Sequence, residues 1–580
     1  MTLSYPNPSL SEMAEGSERL GSTVDEASQE QARTPSPSMS TPIRRILLTV
    51  IILSGLMFSC LDTSIVSTAL FTISVDFDNY QDAPWTILGY LLTYMSFAVG
   101  LSKLSDIYGR RNLLAVSWVL FSGFSIWCAL AGNMNQLIAA RALQGIGGSG
   151  LYSLAQVCLI EQGPNRPEVV GALVGITLSI SYILGPLLGG AISNWTWRGV
   201  FWINVPFGTV ALIGIYTLWP EERRKKYDAW TAISKIDFIG NMLLVVASIL
   251  LVFSIQEGGS FVWSWSSPVI IWSLVVSGVC WVLLALWESY LFYGKCQVIQ
   301  PIFPLRLAMG RVYLSGLIVT LLTGFVYISL VIKIPERLQV IYGDNALQAG
   351  IHLLPLLGPC AFGSFLGGVL SKKQNLTSQT LMAGCALQAL GIGLVYGLAQ
   401  PESRLHLLLG FTAIYGLGVG LCFSACTIIA AIEARFADFA AAQGAVAQAR
   451  VFGGALGLAA CTIVFNENLR RALGSSSPSS SGGGLTDEQQ LGQIQHGPVV
   501  LAPQASGVAD SVIRRVHLAA FKEEMLVMTV FAVVAVVVSL VTYKSKPALV
   551  AQTIAHHKES ASRASDTELE TTSSVRSLIR

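Results

Sequence analysis

Apolar residues run through most of the chain in long blocks, and polar residues collect in the short gaps between them. The blocks cover about 46–70, 85–104, 112–131, 137–160, 168–192 and 200–219, then 238–256 and 268–288, then 312–334, 347–370, 380–399, 405–431, 440–465 and 524–544. A helix needs roughly 20 apolar residues to cross a bilayer, so the pattern predicts an all-α, polytopic membrane protein of about fourteen transmembrane helices. The blocks group as six spans, a charged linker containing Glu221–Lys226 (EERRKK), two spans, a second polar linker and six spans. That grouping predicts an N-terminal six-helix bundle over 46–219, a basic linker with a central helix pair over 220–290, and a C-terminal six-helix bundle over 291–545. Residues 1–45 and 546–580 are expected to be polar tails. The first is expected to be disordered, because it holds too few large apolar groups to offset ordering entropy. Residues 467–523, with the tract GSSSPSSSGGG, are expected to form one long loop between spans.

Composition sharpens the class. The 580 residues are 52% hydrophobic and 12% charged, against about a quarter charged in soluble chains, and mean hydropathy is +0.59. A net charge of +2 gives no case for a nucleic-acid partner. Most of the ten cysteines lie singly inside apolar blocks and none forms a metal-ligand spacing, so neither metal nor cofactor is expected. Basic residues concentrate in alternate short loops. Arg44, Arg45, Lys103, Arg110, Arg111, Arg166, Arg223 to Lys226, Lys372, Lys373 and Lys544 fall on one side, and Arg198, Lys333, Arg337 and Arg404 on the other. By the positive-inside rule both termini are expected in the cytoplasm and the 467–523 loop on the far side.

Five places carry candidate chemistry. Asp62 lies in the first block, about 24 Å along it at 1.5 Å per residue, and an acid there needs a partner, a proton or a polar cavity. Arg141, near the start of the fourth block, falls at a similar depth on a helix running the other way, so the two are expected to pair. Arg141 also opens a stripe at helical spacing, with Gln144, Gly145, Gly148, Tyr152 and Gln156. That stripe either faces a substrate cavity or packs closely through its glycines. Gly145, Gly147 and Gly150 form a G-x-G-x-x-G run, but inside an apolar helix and not between strand and helix, so no dinucleotide site is expected. No P-loop, HExxH or G-x-S-x-G occurs, and no enzyme reaction is expected. The fifth block holds Gly185, Pro186, Gly189 and Gly190, a kinked, closely packing stretch. The turn Ser102–Arg111 puts Asp106 among Lys103, Arg110 and Arg111, with Gly109 for a tight bend, and suggests a latch. Arg450, with Gln443 and Ala447 on its face, is either a cavity contact of the distal half or a structural donor between helices.

The turn 102–111 resembles the signature loop of the major facilitator superfamily, G-x-L-[SA]-D-x-x-G-R-[RK]. LDTSIVSTAL (Leu61–Leu70), RALQGIGGSG (Arg141–Gly150), GPLLGG (Gly185–Gly190) and WRGVFWINVPFG (Trp197–Gly208) are together similar to the fourteen-span drug:proton antiporters of that superfamily, which include fungal-type multidrug and toxin pumps. The distal half matches more loosely, through GGALG at Gly453–Gly457. The resemblance implies proton coupling at Asp62 and Arg141, an antiport motif at Gly185, Pro186, Gly189 and Gly190, and a conformational-switch loop at Asp106, Gly109, Arg110 and Arg111. Gln144, Tyr152, Gln156 and Arg450 are the expected cavity residues. The chain departs from the pattern at Ser102 and Ser181, where glycine is usual, and at Phe71, where proline usually follows the first motif; serine is small enough to keep the packing.

The expected function is proton-coupled efflux of small amphipathic molecules, such as drugs, toxins or secreted metabolites, by alternating access. Uptake of a specific solute, such as an iron-chelator complex, is the alternative, and a non-transporting membrane sensor a third reading. The expected partners are a small-molecule substrate, protons and the lipid bilayer, with the protein itself a monomer. The plasma membrane is the expected location, and a vacuolar or other internal membrane fits the same spans.

Overall fold

The computed structural model describes residues 42–79, 82–163, 167–220, 237–258, 263–293, 305–373, 375–398, 405–434, 439–474 and 507–544. The structure is all-α, with no strand among the described residues. Its long helices are α1 (Pro42–Asp76), α2 (Ala83–Tyr108), α3 (Arg110–Leu130), α4 (Met134–Gln162), α5 (Pro167–Ser193), α6 (Asn204–Leu218), α7 (Phe238–Gly258), α8 (Pro268–Tyr293), α9 (Arg311–Arg337), α10 (Leu354–Lys373), α11 (Thr377–Leu398), α12 (Leu405–Glu433), α13 (Phe439–Gly474) and α14 (Gly507–Leu540). A single turn of helix, Gly199–Trp202, leads into α6, and a short helix, Ala346–His352, precedes α10.

Among the described residues, 13 helices are long and apolar enough to cross a membrane. The remaining long helix, α4, has the length at 29 residues, but its stripe of Arg141, Gln144, Gln156 and Glu161 dilutes its hydropathy. The expected loop over 467–523 is corrected at both ends: α13 continues to Gly474 and α14 begins at Gly507. Val516, His517, Ala520 and Phe521 are buried on one face of the α14 extension while Arg514 and Arg515 are exposed or lie off that face. This amphipathic helix has too many charged residues for a hydropathy window to find it. The EERRKK linker and both polar tails beyond 42–544 lie outside the described residues.

Small residues set the helix contacts. α4 packs against α2 and α3 through its glycine run: a Cβ on Gly145 would come 2.5 Å from the Tyr90 carbonyl oxygen, and one on Gly147 would come 2.5 Å from the Phe121 amide nitrogen. The G-x-G-x-x-G run is therefore a helix-packing surface, as small residues are in membrane helices generally. The most extensive contacts between the first six helices and the last six are α2 along α13 and α5 along α10 and the short helix before it, with smaller ones between α4 and α13 and between α5 and α12. α7 touches both α2 and α13, and α8 packs on the outside of α7. The Trp85 indole nitrogen donates to Glu257 at 2.8 Å, and the Trp281 and Phe452 rings lie 5.8 Å apart, which fastens the α7–α8 pair alongside the α2–α13 seam.

Candidate functional site

The chemistry starts from a carboxylate with no access to solvent. Asp62 and Arg141 are each 0% exposed, and Arg141 Nη1 donates to Asp62 Oδ2 in a direct ion pair. The other carboxylate oxygen, Oδ1, accepts from Gln144 Nε2 at 3.0 Å and Asn204 Nδ2 at 3.2 Å. Arg141 also donates from Nε to the Thr86 carbonyl at 3.1 Å and from Nη1 to Gln144 Oε1 at 2.8 Å. Its guanidinium lies over the Tyr90 ring, 4.2 Å from the centroid. Ser125 closes the network by accepting from Gln144 at 2.8 Å and Asn204 at 3.1 Å. Five helices thus meet at one knot: α1 gives Asp62, α2 gives Thr86 and Tyr90, α3 gives Ser125, α4 gives Arg141 and Gln144, and α6 gives Asn204. A buried pair needs its remaining lone pairs and protons met as well; here neutral amides and a hydroxyl meet most of them, while Arg141 Nη2 and Asn204 Oδ1 have no hydrogen-bond partner among the described residues.

The turn between α2 and α3 bends at Gly109, whose φ of 90° is one that L side chains rarely adopt. Arg110 reaches back across it to Glu161 at the end of α4, with Nη2 2.9 Å from Oε1, and bonds the Ser102 carbonyl at 3.2 Å. Arg111 donates to the Tyr216 carbonyl at 3.0 Å and stacks on that ring at 4.8 Å. The turn is thereby tied to the ends of α4 and α6. The side chain of Asp106 lies outside the described residues.

α5 carries two glycine faces around Pro186. Gly185 and Gly189 lie against Ser64, Ile65 and Thr68 of α1, where a Cβ would collide. Gly190 faces the other way, and a Cβ there would come 2.6 Å from the Ala346 carbonyl oxygen and the Leu347 Cα. Gly350 answers from the short helix, 2.6 Å by the same measure from the Pro186 carbonyl oxygen. At this end of the protein the two halves meet backbone to backbone.

Between these features lies a cavity of about 40 Å³. That is room for a few waters and far below the roughly 300 Å³ or more of a drug-sized pocket. Its polar wall includes Ser59, Thr63 and Ser64 of α1, Tyr94, Tyr152, Tyr182 and Tyr327 of four further helices, and Arg450 of α13. Arg450 Nη1 donates to the Tyr152 hydroxyl at 3.0 Å, and the guanidinium lies 3.9 Å from the Phe423 ring centroid.

The profile of the Major Facilitator Superfamily matches residues 52–458. The chain belongs to that superfamily. Its relatives include the "MFS-type transporter FPY5" of Fusarium mangiferae, 34% identical over 438 residues that span 73% of this chain and 72% of the relative. Another is the "Efflux pump dotC" of Dothistroma septosporum, 30% identical over 444 residues, 74% of this chain and 73% of the relative. Among solved structures, a bacterial homologue of the human lysosomal transporter Spinster, inward-facing and occupied, shares the fold with a TM-score of 0.54. It is 15% identical, over 87% of this chain and 98% of that one.

Within this superfamily member the expected site residues divide. Asp62 and Arg141 come together, as their matched depth predicts. Gln144, expected in the cavity, instead joins that knot and does not line the cavity, because Gln144 and Tyr152 are eight residues apart and so point about 80° apart around a helix of 3.6 residues per turn. Gln156 is buried one turn beyond Tyr152 and is also absent from the cavity wall. Tyr152 and Arg450 do line it and touch each other across the two halves. Sequence reasoning missed Asn204 and Ser125. Asn204 is a lone amide inside the apolar stretch WRGVFWINVPFG, and a single polar residue in a span was the available signal; the structure buries it completely.

Proposed function

We propose that this transporter is a proton-coupled exporter of small amphipathic molecules. The observation that carries the reading is the knot at Asp62: an ionisable group with no solvent, held by five helices of a transporter fold, in a chain whose relatives include one named an efflux pump. An acid placed at membrane depth at such cost is expected to work. Asp62 takes up a proton and releases it as the protein alternates access, with Arg141 as the counter-charge when it is ionised. Protonation removes the charge that Arg141 and the two amides hold, so the knot loosens in one protonation state and tightens in the other. Residues 46–219 and 291–545 act as the two bundles that rock against each other, with the end bearing Gly109 facing the cytoplasm together with both termini. The contacts of Arg110 and Arg111 with α4 and α6 fasten the first bundle at that end, and the Gly190–Gly350 seam closes the opposite end.

Efflux from cells lacking their own exporters tests the reading. Wild-type protein loaded with candidate hydrophobic compounds should extrude at least one of them under a proton gradient and stop when the gradient is collapsed. Asp62→Asn should abolish gradient-driven extrusion. Efflux that survives collapse of the gradient, or that Asp62→Asn leaves unchanged, would sink the coupling model.

A further inference from the structure

The central cavity holds one formal charge, and it is positive. Arg450 is 4% exposed, and no carboxylate lies within ion-pair distance of it among the described residues. Its Nε has no hydrogen-bond partner, and neither does the hydroxyl of Tyr327, which is 1% exposed. Both residues line the same cavity. The acid of α1, Asp62, is not on the cavity wall and is already committed to Arg141, Gln144 and Asn204. A buried guanidinium without a counter-ion is costly in a low-dielectric interior, and the Phe423 face and the Tyr152 hydroxyl offset only part of that.

Aromatic rings surround the charge. Tyr182 and Tyr327 meet edge to face at 5.4 Å, as do Tyr94 and Tyr152 at 5.9 Å. Tyr327 in turn meets Phe423 at 5.3 Å. The Tyr94 and Ser59 hydroxyls lie 3.1 Å apart. Such walls offer ring edges for stacking, hydroxyl donors, and a fixed planar fork that matches a carboxylate. A permanent cation meets the opposite: a like charge at short range with no acid to neutralise it.

We propose that this site takes aromatic organic anions, with the carboxylate or phenolate of the substrate on Arg450 and its ring among the tyrosines. The inference rests on the transport reading for its setting, since the cavity of about 40 Å³ must widen as the bundles part before such a molecule enters. The anion supplies the missing counter-charge, so substrate binding and the electrostatics of the cavity favour each other. Arg450 then distinguishes substrates by charge before shape.

The test is binding, measured without a proton gradient on the purified full-length protein in nanodiscs, by quenching of intrinsic fluorescence. The probes are 2-naphthoate, its neutral isostere 2-naphthamide, and the lipophilic cation tetraphenylphosphonium. Naphthoate should bind about tenfold or more tighter than naphthamide, the step expected of a charge-assisted bond, and the cation should bind weakest. Arg450→Gln should erase the preference for naphthoate over naphthamide, and Arg450→Lys should keep part of it. Equal binding of the two naphthalene probes, or preference for the cation, overturns the proposal on wild-type protein alone, whether or not Arg450→Gln folds. Naphthoate preference in a protein that fails to drive efflux would instead overturn the transport reading while supporting this one.

Discussion

Replacing Asp62 by Asn isolates the charge at the centre of the knot. Thr86, Gln144 and the Tyr90 ring already contact Arg141 in the native knot, so none of them is free to compensate for the change. Asp62 accepts Arg141 on one oxygen and both Gln144 and Asn204 on the other. Asn has a single oxygen. If it faces Arg141, its NH₂ meets two amide donors; if it faces the amides, its NH₂ meets a guanidinium. Either way a buried donor is stranded, in addition to the loss of the counter-charge. Removing one partner of a buried pair costs about 3–5 kcal/mol, and the stranded donor places this case near 4 kcal/mol, about a thousandfold in the folding equilibrium. The double variant Asp62→Asn/Arg141→Gln removes the orphaned charge and should recover at least half of that loss. Denaturant titration of the purified protein in micelles measures both. Asp62→Asn within about 1 kcal/mol of wild type, or a double variant no more stable than the single one, would refute the claim that an ionised pair holds this knot together.

Other substitutions test the remaining contacts. Gly190→Ala places a Cβ 2.6 Å from the Ala346 carbonyl oxygen and the Leu347 Cα, so it should slow transport at least several-fold, measured as efflux per molecule at matched expression. Gly278→Ala, where a Cβ meets nothing within 4 Å, is the control and should stabilise α8 by about 0.5–1 kcal/mol. Arg110→Ala and Glu161→Gln should each cost less than about 1 kcal/mol of stability because the pair is partly exposed. Both should nevertheless impair efflux, and the charge swap Arg110→Glu/Glu161→Arg should restore part of it if the latch works through the pair. Asp76, at the end of α1, is held below its ordinary value of 3.8 chiefly by the Trp197 indole N–H, with Arg198 adding. Its folded-state value is depressed, so its small stabilisation is complete above the unfolded value and fades as pH falls through the folded one. Asp76→Asn should flatten stability against pH only below about pH 4, and an unchanged acid limb would count against the contact.

The length and polarity of the apolar blocks made the helices legible, because bilayer thickness imposes one length on every span. The Asp62–Arg141 pairing was legible too, since a residue's depth follows from its count along a straight helix. Rotation about the helix axis was harder to read. The stripe from Arg141 to Gln156 looks like one face on paper, yet it drifts far enough to send Gln144 into the knot and Tyr152 into the cavity. The tyrosine wall was illegible for a different reason: Tyr94, Tyr152, Tyr182 and Tyr327 come from four helices, and only tertiary packing brings them together. The α14 extension over 507–523 was hidden because its charged residues mask a helical face in any average over a window.

The α7–α8 pair has a consequence of another kind. Only 22% of the apolar window of α8 is buried, and Trp272 and Tyr290, 66% and 62% exposed, stand about 27 Å apart along its axis at 1.5 Å per residue. Aromatic residues at that separation settle at the two interfaces of a hydrocarbon core about 30 Å thick. The same pair is fastened to α2 and to α13, the seam along which the two halves meet. A thinner or thicker bilayer tilts α8 to restore the match, and that tilt pulls on the seam itself. Lipid chain length is therefore expected to act as a mechanical input to this transporter, and proteoliposomes made from lipids of graded chain length would read it as a change in transport rate with no change in the protein.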